Sequence, residues 1–364
     1  MLSKKFQNLL SRENLFFRIT RIPETKPIFE MTILDRMATL VNYAIKDVLT
    51  SFVDQKTKKL ITYQIETGGK RLRPILAMIS CKMLGGKIKD VLYPAAGLEI
   101  LHNYTLIIDD IIDHSTLRRN QPTTWAKFGK SIAECIGASY SSSIFQAVNR
   151  SPYARILVEL FAKTLKQIVD GEILDILFEQ QGREEEDFVR KNRYRKIDRK
   201  AYLKMVSKKT ASLFKASCQT GAICAKATPE EIKLLGEFGF NLGIAFQIQD
   251  DTLDIFGEKK VFGKEIGKDI KERKLGNIIV LEALKELSQN SQKKLLSILR
   301  KKEISSLDIK EAVNLIQQTK ALDKAKDLAK RFIKKAKENL KPFPQTQWKK
   351  LLLKIADFVI ERQK

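Results

Sequence analysis

The stretch Thr228-Pro229-Glu230-Glu231-Ile232-Lys233-Leu234-Leu235-Gly236-Glu237-Phe238, running on to Phe246-Gln247-Ile248-Gln249-Asp250-Asp251-Thr252-Leu253-Asp254, carries the reading of the fold. Thr228 with Glu231 three positions on is a capping box, and Pro229 takes the first helical position, where its missing N–H costs nothing. Behind it apolar residues recur at three- and four-residue spacing as far as Phe256, the period of a helix that buries one face. The same period fills residues 33–52, 94–112, 153–177 and 201–224. Ser151-Pro152 reads as a further helix start, and Ser305 with Asp308 as a weaker one. No proline stands between Pro152 and Pro229, or between Pro229 and Pro342, so long helices have room. Alternating Val/Ile runs between Asn-Gly or Asp-Gly turns are missing, which leaves strands little support. The expectation is an all-α, single-domain helical bundle of about ten to fourteen helices on one core.

Composition bounds the function. Of 364 residues, 67 are lysine or arginine and 43 aspartate or glutamate, a formal net charge of +24. A hydrophobic fraction of 43% supplies a sizeable core and excludes global disorder. No uncharged apolar stretch approaches the ~18 residues needed to cross a bilayer. Cys81, Cys135, Cys218 and Cys224 lie among apolar neighbours without a CxxC pair, as reduced, buried thiols of a cytoplasmic protein would. With His102 and His114 as the only histidines, histidine-rich metal chemistry is excluded. The positive excess expects a polyanion: nucleic acid, anionic lipid or a phosphorylated substrate.

Three regions read as peripheral. Residues 1–30 form an N-terminal extension of unassigned role, with Lys4, Lys5, Arg12, Arg18 and Arg21 beside Leu9, Phe16 and Phe17; residues 31–364 are the domain proper. Residues 180–200 pass from Glu184, Glu185, Glu186 and Asp187 to Arg190, Lys191, Arg193, Arg195 and Lys196, the pattern of a solvated connection. Residues 320–341 are a lysine-rich amphipathic helix with a solvent face.

Two acidic segments carry the chemistry. In Leu106-Ile107-Ile108-Asp109-Asp110-Ile111-Ile112-Asp113, Asp109 and Asp113 project from one helix face with Cβ atoms about 6 Å apart. Unpaired, such carboxylates raise one another's pKa; a hard cation such as Mg²⁺ removes the conflict and completes its shell with substrate phosphate. The DDxxD spacing returns at Asp250, Asp251 and Asp254, again after an apolar helix. Cations accompany both. Gly68-Gly69-Lys70-Arg71-Leu72-Arg73-Pro74 joins a diglycine to three basic residues, and Arg118-Arg119 follows the first motif. Lys209-Thr210 opens an apolar run, while Gly263-Lys264 and Lys274 follow the second motif. Metal-suited carboxylates beside phosphate-suited cations in one apolar bundle imply a reaction between diphosphates, with a greasy lining to shelter a carbocation.

In this order, GGKRLRP, DDxxD with two arginines, Gly171-Glu172 with Asp175, Lys209-Thr210, FQxxDDxxD and Gly263-Lys264…Asp269-Ile270…Lys274, the chain resembles the trans-isoprenyl diphosphate synthases over roughly residues 31–362. The resemblance implies the type I isoprenoid synthase fold around a deep central cavity, normally a homodimer. It implies that a trans-prenyltransferase condenses isopentenyl diphosphate with an allylic diphosphate. Asp109, Asp113 and Asp250 would hold three Mg²⁺ ions, with Asp110, Asp251 and Asp254 completing the wall and Asp175 touching it from a third helix. Arg118, Lys209, Lys264 and Lys274 would neutralise the leaving diphosphate. Lys70, Arg73, His102 and Arg119 would hold isopentenyl diphosphate, and Thr210 and Gln247 would line the reacting carbons. His102 is better placed to bind diphosphate than to act as a base.

In this family the residues one to two turns before the first DDxxD form the floor under the growing chain. Tyr104 lies about 7.5 Å below Asp109 on its face and Thr105 is small. That pattern resembles the archaeal geranylgeranyl type and implies a C20 product, with farnesyl or longer products as alternatives. The chain departs from the family pattern at Ala138-Ser139-Tyr140, at Ile108 and at Arg273-Lys274-Leu275-Gly276-Asn277, the last affecting the placement of Lys274. A class I terpene cyclase would not need Lys70, Arg73 and Arg119. A basic nucleic-acid-binding protein would leave both acidic motifs unexplained, so no nucleic-acid partner is expected. Peripheral contact with anionic membrane fits the charge.

Overall fold

The computed structural model describes residues 27–257 and 267–362. Its helices are α1 Pro27–Leu49, α2 Lys58–Glu66, α3 Leu72–Met83, α4 Ile88–Ile112, α5 Thr124–Phe128, α6 Lys130–Val148, α7 Ala154–Leu177, α8 Asp187–Asn192, α9 Arg199–Val206, α10 Ser212–Cys224, α11 Pro229–Phe256, α12 Lys268–Lys271, α13 Ile278–Glu286, α14 Gln289–Leu299, α15 Ser306–Gln317, α16 Ala321–Asn339 and α17 Gln347–Glu361. A π-helical turn, Ser207–Ala211, joins α9 to α10. β1 (Leu117–Arg118) and β2 (Gln121–Pro122) make a minimal antiparallel hairpin in which Arg118 pairs with Gln121. The all-α expectation holds. The helix number exceeds it because α5, α8 and α12, of 5, 6 and 4 residues, are too short to leave a periodic signature.

Local chemistry sets several boundaries. Thr228 N–H donates to Glu231 Oε2 (2.8 Å) and Thr228 Oγ1 accepts from Glu231 N–H (3.3 Å), so α11 starts with both halves of its capping box. Ser305 and Asp308 repeat the device at α15. Other starts moved. α7 begins at Ala154, because Ser151 Oγ accepts the Tyr153 N–H in a turn ahead of the helix. Pro94 lies inside α4, which starts at Ile88; the burial of Ile88, Val91, Leu92 and Tyr93 offsets the hydrogen bond that proline deletes.

Helices α4 and α10 are buried on nearly every face and form the centre. Helix α3 crosses α10 so closely that a Cβ on Gly221 would lie 2.1 Å from the Ala77 carbonyl oxygen. α16 lies along α11 with Ala325, Leu328, Ala329 and Ile333 inward, and its lysines face out as expected. α17 closes over α3 and α11. Cys81, Cys218 and Cys224 are buried, but Cys135 is exposed on α6. The 180–200 connection is not simply solvated: Gln180 and Arg193 are buried and Arg183 is 12% exposed. Gln180, Arg183 and Arg193, which flank the acidic cluster, turn their side-chain donors inward. Residues 1–26 lie outside the described residues, and α1 starts at Pro27, ahead of the expected boundary at 31.

Candidate active site

The first acidic motif closes α4. Asp110, one residue round from the Asp109/Asp113 face, points inward and is 1% exposed. There Arg118 grips it: Nε donates to both carboxylate oxygens (3.0 and 2.9 Å) and Nη2 to Oδ1 (2.8 Å). Such a bidentate buried pair consumes the acceptor capacity of Asp110 and costs about 3–5 kcal/mol to break from one side. Arg119 and Asn120 take positive φ (54° and 59°), the geometry of a tight hairpin turn. The turn sends the adjacent arginines apart, Arg118 to Asp110 and Arg119 Nη1 to the Gly68 carbonyl. The Asp109 side chain makes no hydrogen bond or ion pair with another described residue, and burial raises its pKa, with Lys209 opposing the rise and Asp113 adding to it.

A third helix supplies the next layer. On α7, a Cβ at Gly171 would lie 2.3 Å from the backbone nitrogen of Lys209, so glycine lets α7 touch the π turn directly. The π turn aims Lys209 at Glu172 (2.5 Å) and Asp175 (2.8 Å). Lys274 Nζ reaches Asp175 (3.3 Å), Asp113 (3.4 Å) and Glu272 (3.0 Å), placing in the site a lysine whose local sequence departs from the family pattern. Burial would raise the Asp175 carboxyl, but Lys209 and Lys274 hold it well below the usual range. Burial likewise pulls at both lysines, and the surrounding carboxylates keep them charged far above neutral pH.

The second motif ends α11. Asp250 accepts from Arg362 Nη2 (2.6 Å), whose guanidinium also stacks 3.9 Å from the Phe246 ring centroid. Asp251 is buried and accepts from Tyr202 Oη (2.8 Å), Gln247 Nε2 (2.9 Å) and the Ile278 N–H (3.0 Å). Asp254 caps α12 through the Lys268 and Asp269 N–H groups, both at 3.1 Å. Asp251 and Asp254 therefore organise the protein more than they form a free acidic wall. Through Asp251 the Gln247 amide is fixed, so that its Oε1 receives Thr210 Oγ1–H at 2.8 Å. Contacts run continuously from Asp113 through Lys274, Asp175, Lys209 and its neighbour Thr210 to Gln247 and Asp251. The two distant motifs are linked through these intervening side chains.

Beside them lies a cationic cluster. Arg71, at φ 52°, turns inward to Asn42 Oδ1 (2.7 Å), Glu99 Oε1 (3.1 Å) and the Ile65 and Gly68 carbonyls (2.9 and 2.8 Å). That anchor presents Lys70 and Arg73 on either side. Arg73 lies over Phe214 (4.8 Å), its Nε is buried without a partner, and burial lowers its pKa to about 10, still charged at neutral pH. His102 is pushed well below its ordinary pKa by burial and by Arg73, Arg119, Arg118 and Arg71, so it is neutral and suits hydrogen bonding to an anion. The Lys70 ammonium lies 5.7 Å from the Phe358 ring.

Below Asp109, Tyr104 packs toward α6: a Cβ on Gly137 would lie 3.8 Å from Tyr104 Cε2 and 3.3 Å from Ile108 Cδ1. Thr105 Oγ1 turns back to the His102 carbonyl (2.8 Å). Lys264 lies outside the described residues. Sequence reading missed Arg71 as an anchor, Tyr202, Arg183 and Arg362; only Arg71 had a signal, its place in GGKRLRP. Among the described residues no three His, Cys, Asp or Glu side chains form a ready cage for a metal ion. The donors nevertheless fit a hard divalent cation that shares its shell with phosphate and water: all are carboxylate oxygens, and the Asp109 carboxylate has no hydrogen-bond partner among the described residues.

The polyprenyl synthetase family profile matches residues 54–316. The chain is 35% identical over 334 residues to geranylgeranyl diphosphate synthase of Saccharolobus solfataricus, covering 89% of this chain and 95% of that protein. It is 31% identical to geranylfarnesyl diphosphate synthase of Aeropyrum pernix, covering 89% of this chain and all of that one (100%). The crystal structure of a geranylgeranyl pyrophosphate synthetase from Pyrococcus horikoshii superposes with a TM-score of 0.80 at 30% identity, over 97% of this chain and 99% of that one. With these similarities, and with the two aspartate motifs joined through one chain of side-chain contacts, the chain belongs to the polyprenyl synthetase family of prenyltransferases.

Proposed function

We propose that the protein condenses isopentenyl diphosphate with an allylic diphosphate to make geranylgeranyl diphosphate. The observation that carries this reading is the adjacency of two charge types: carboxylates Asp109, Asp113 and Asp250 at one side, and the uncommitted Arg73 with His102 and Arg119 at the other. Asp109, Asp113 and Asp250 would hold Mg²⁺, which supplies Lewis-acid stabilisation of the departing pyrophosphate. Lys209 and Lys274 add fixed positive charge there, and Arg118 pairs with Asp110 beside them. Arg73, Arg119, Lys70 and His102 hold isopentenyl diphosphate with its double bond toward the allylic carbon. As the allylic C–O bond breaks, the Gln247 amide and Thr210 hydroxyl place dipoles beside the cation. The double bond attacks, and a proton leaves C2 to a pyrophosphate oxygen, since neutral His102 is surrounded by arginines.

Tyr104, held against α6, would be the floor that stops elongation at C20. The relative named for a geranylfarnesyl product supports C25 as the second reading. Purified protein incubated with Mg²⁺, labelled isopentenyl diphosphate and C5, C10 or C15 primers should yield C20 after dephosphorylation; a C15 or C25 main product overturns the assignment. Tyr104→Ala should lengthen the products, and an unchanged distribution removes the floor.

A homodimer is part of this proposal. Ile156, Val169 and Ile173 of α7 are 59%, 47% and 48% exposed, and Ile132 and Cys135 of α6 are exposed as well, apolar surface that a second copy would cover. Sedimentation at micromolar concentration tests it. No helix among the described residues is long and apolar enough to cross a membrane. We place the enzyme in the cytoplasm, where its surplus charge would favour anionic membranes that receive its product.

A further inference from the structure

Arg183 leaves the 180–200 connection and turns back into the bundle, its side chain 12% exposed and its backbone at φ 55°. Its donors are spent on groups other than the aspartate motif. Nε and Nη2 form a fork on Glu179 (2.8 and 2.9 Å), at the end of α7. Nη1 reaches the Ile112 carbonyl at the end of α4 (3.2 Å) and Glu186 (3.3 Å). Held this way, Nη2 stands 3.8 Å from Asp113 Oδ1, while Lys274 Nζ stands 3.4 Å from Oδ2. At 3.8 Å there is no hydrogen bond, but the opposite charges still face each other as an ion pair. Asp110 offers the contrast, its oxygens fully engaged by Arg118 at 2.8–3.0 Å.

We propose that Arg183 is a positioning residue for Asp113. It fixes the carboxylate's orientation by charge alone and leaves the Oδ1 lone pairs free for a divalent cation. The proposal rests on the reading of Asp113 as a ligand for the ion that binds diphosphate. Glu179 belongs to the same device, because its fork sets the height at which the guanidinium stands.

The test is Mn²⁺ binding to the full chain in the presence of inorganic pyrophosphate, followed by electron paramagnetic resonance, with thermal unfolding as a check of folding. Arg183→Gln should raise the Mn²⁺ dissociation constant about tenfold, the scale on which groups behind a ligand act. Arg183→Lys, which keeps charge but loses the fork, should recover part of that loss. In turnover, the half-saturating Mg²⁺ should shift with it while KM for isopentenyl diphosphate stays within about twofold. If Arg183→Gln does not fold, Glu179→Gln carries the test, with a smaller rise expected. Wild-type Mn²⁺ affinity in a folded variant overturns the proposal and leaves the metal reading standing. Wild-type protein that binds no Mn²⁺ with pyrophosphate overturns both.

Discussion

The two aspartate motifs have the same spacing, and each ends an apolar helix, yet the chain uses them differently. At the end of α4, the middle residue Asp110 is sealed by Arg118, while Asp109 has no partner among the described residues and Asp113 is faced by cations at 3.4 and 3.8 Å. At the end of α11 the outer residues are committed as well as the middle one. The first residue, Asp250, is paired with Arg362, and Asp251 and Asp254 are built into the protein as acceptors for a tyrosine, an amide and three backbone N–H groups. The difference teaches that i,i+4 carboxylate spacing specifies only a shared helix face. Which oxygens remain free depends on what the rest of the chain sends to meet them.

The comparison makes Asp109 functional and Asp251 architectural, and substitutions should separate them. Asp109→Asn should lower kcat about 10³-fold, as removal of one preorganised electrostatic group does, with the melting temperature held or raised because a desolvated carboxylate without a side-chain partner among the described residues is lost. Steady-state kinetics with calorimetry checks both; a large fall in melting temperature would break the contrast. Asp251→Ala strands the Tyr202 hydroxyl, the Gln247 amide and the Ile278 N–H, and should destabilise by about 3 kcal/mol in urea unfolding. A loss near zero would put Asp251 back among the free carboxylates.

Next in size is a pH effect between the motifs, read in a chelator. Asp175 titrates below its ordinary 3.8 in the folded protein, against the push of burial, because Lys209 and Lys274 face it. Its contribution is therefore present above the usual carboxylate range and fades as the pH falls through the lower folded value. Lys209 and Lys274 are shifted above their ordinary 10.5, so their share is complete below that value and fades as the pH rises through the folded pKa. Asp175→Asn should flatten the acid limb of stability against pH; an unchanged limb means the network is not coupled. The smallest effect belongs to Arg362. It competes for Asp250, which is 31% exposed, so Arg362→Gln should lower half-saturating Mg²⁺ about threefold, the scale of a partly exposed pair. A higher Mg²⁺ requirement would show that the tail assists the ion instead.

Much of this was legible beforehand. The span of α11 follows from Thr228, Pro229, Glu231 and the apolar period, and both acidic helix ends follow from DDxxD. Lys209 and Thr210 were legible as residues, but the π turn that aims them was not, since the sequence leaves no mark of one extra residue in a turn. Arg183 was hidden in a run of surface-like charge, and Arg362 in the last turn of the chain. Cys135 was misread because an apolar neighbourhood in sequence does not tell an outward helix face from an inward one.

The sequence by itself determined the helices, their caps, the two acidic ends and the stock of cations, because those depend on residues three or four positions apart. Tertiary structure alone decided the pairings: Arg362 meets Asp250 across 112 positions and Lys274 meets Asp113 across 161. A charge chooses its partner by distance in space and by the water removed between them, and neither quantity is written along the chain.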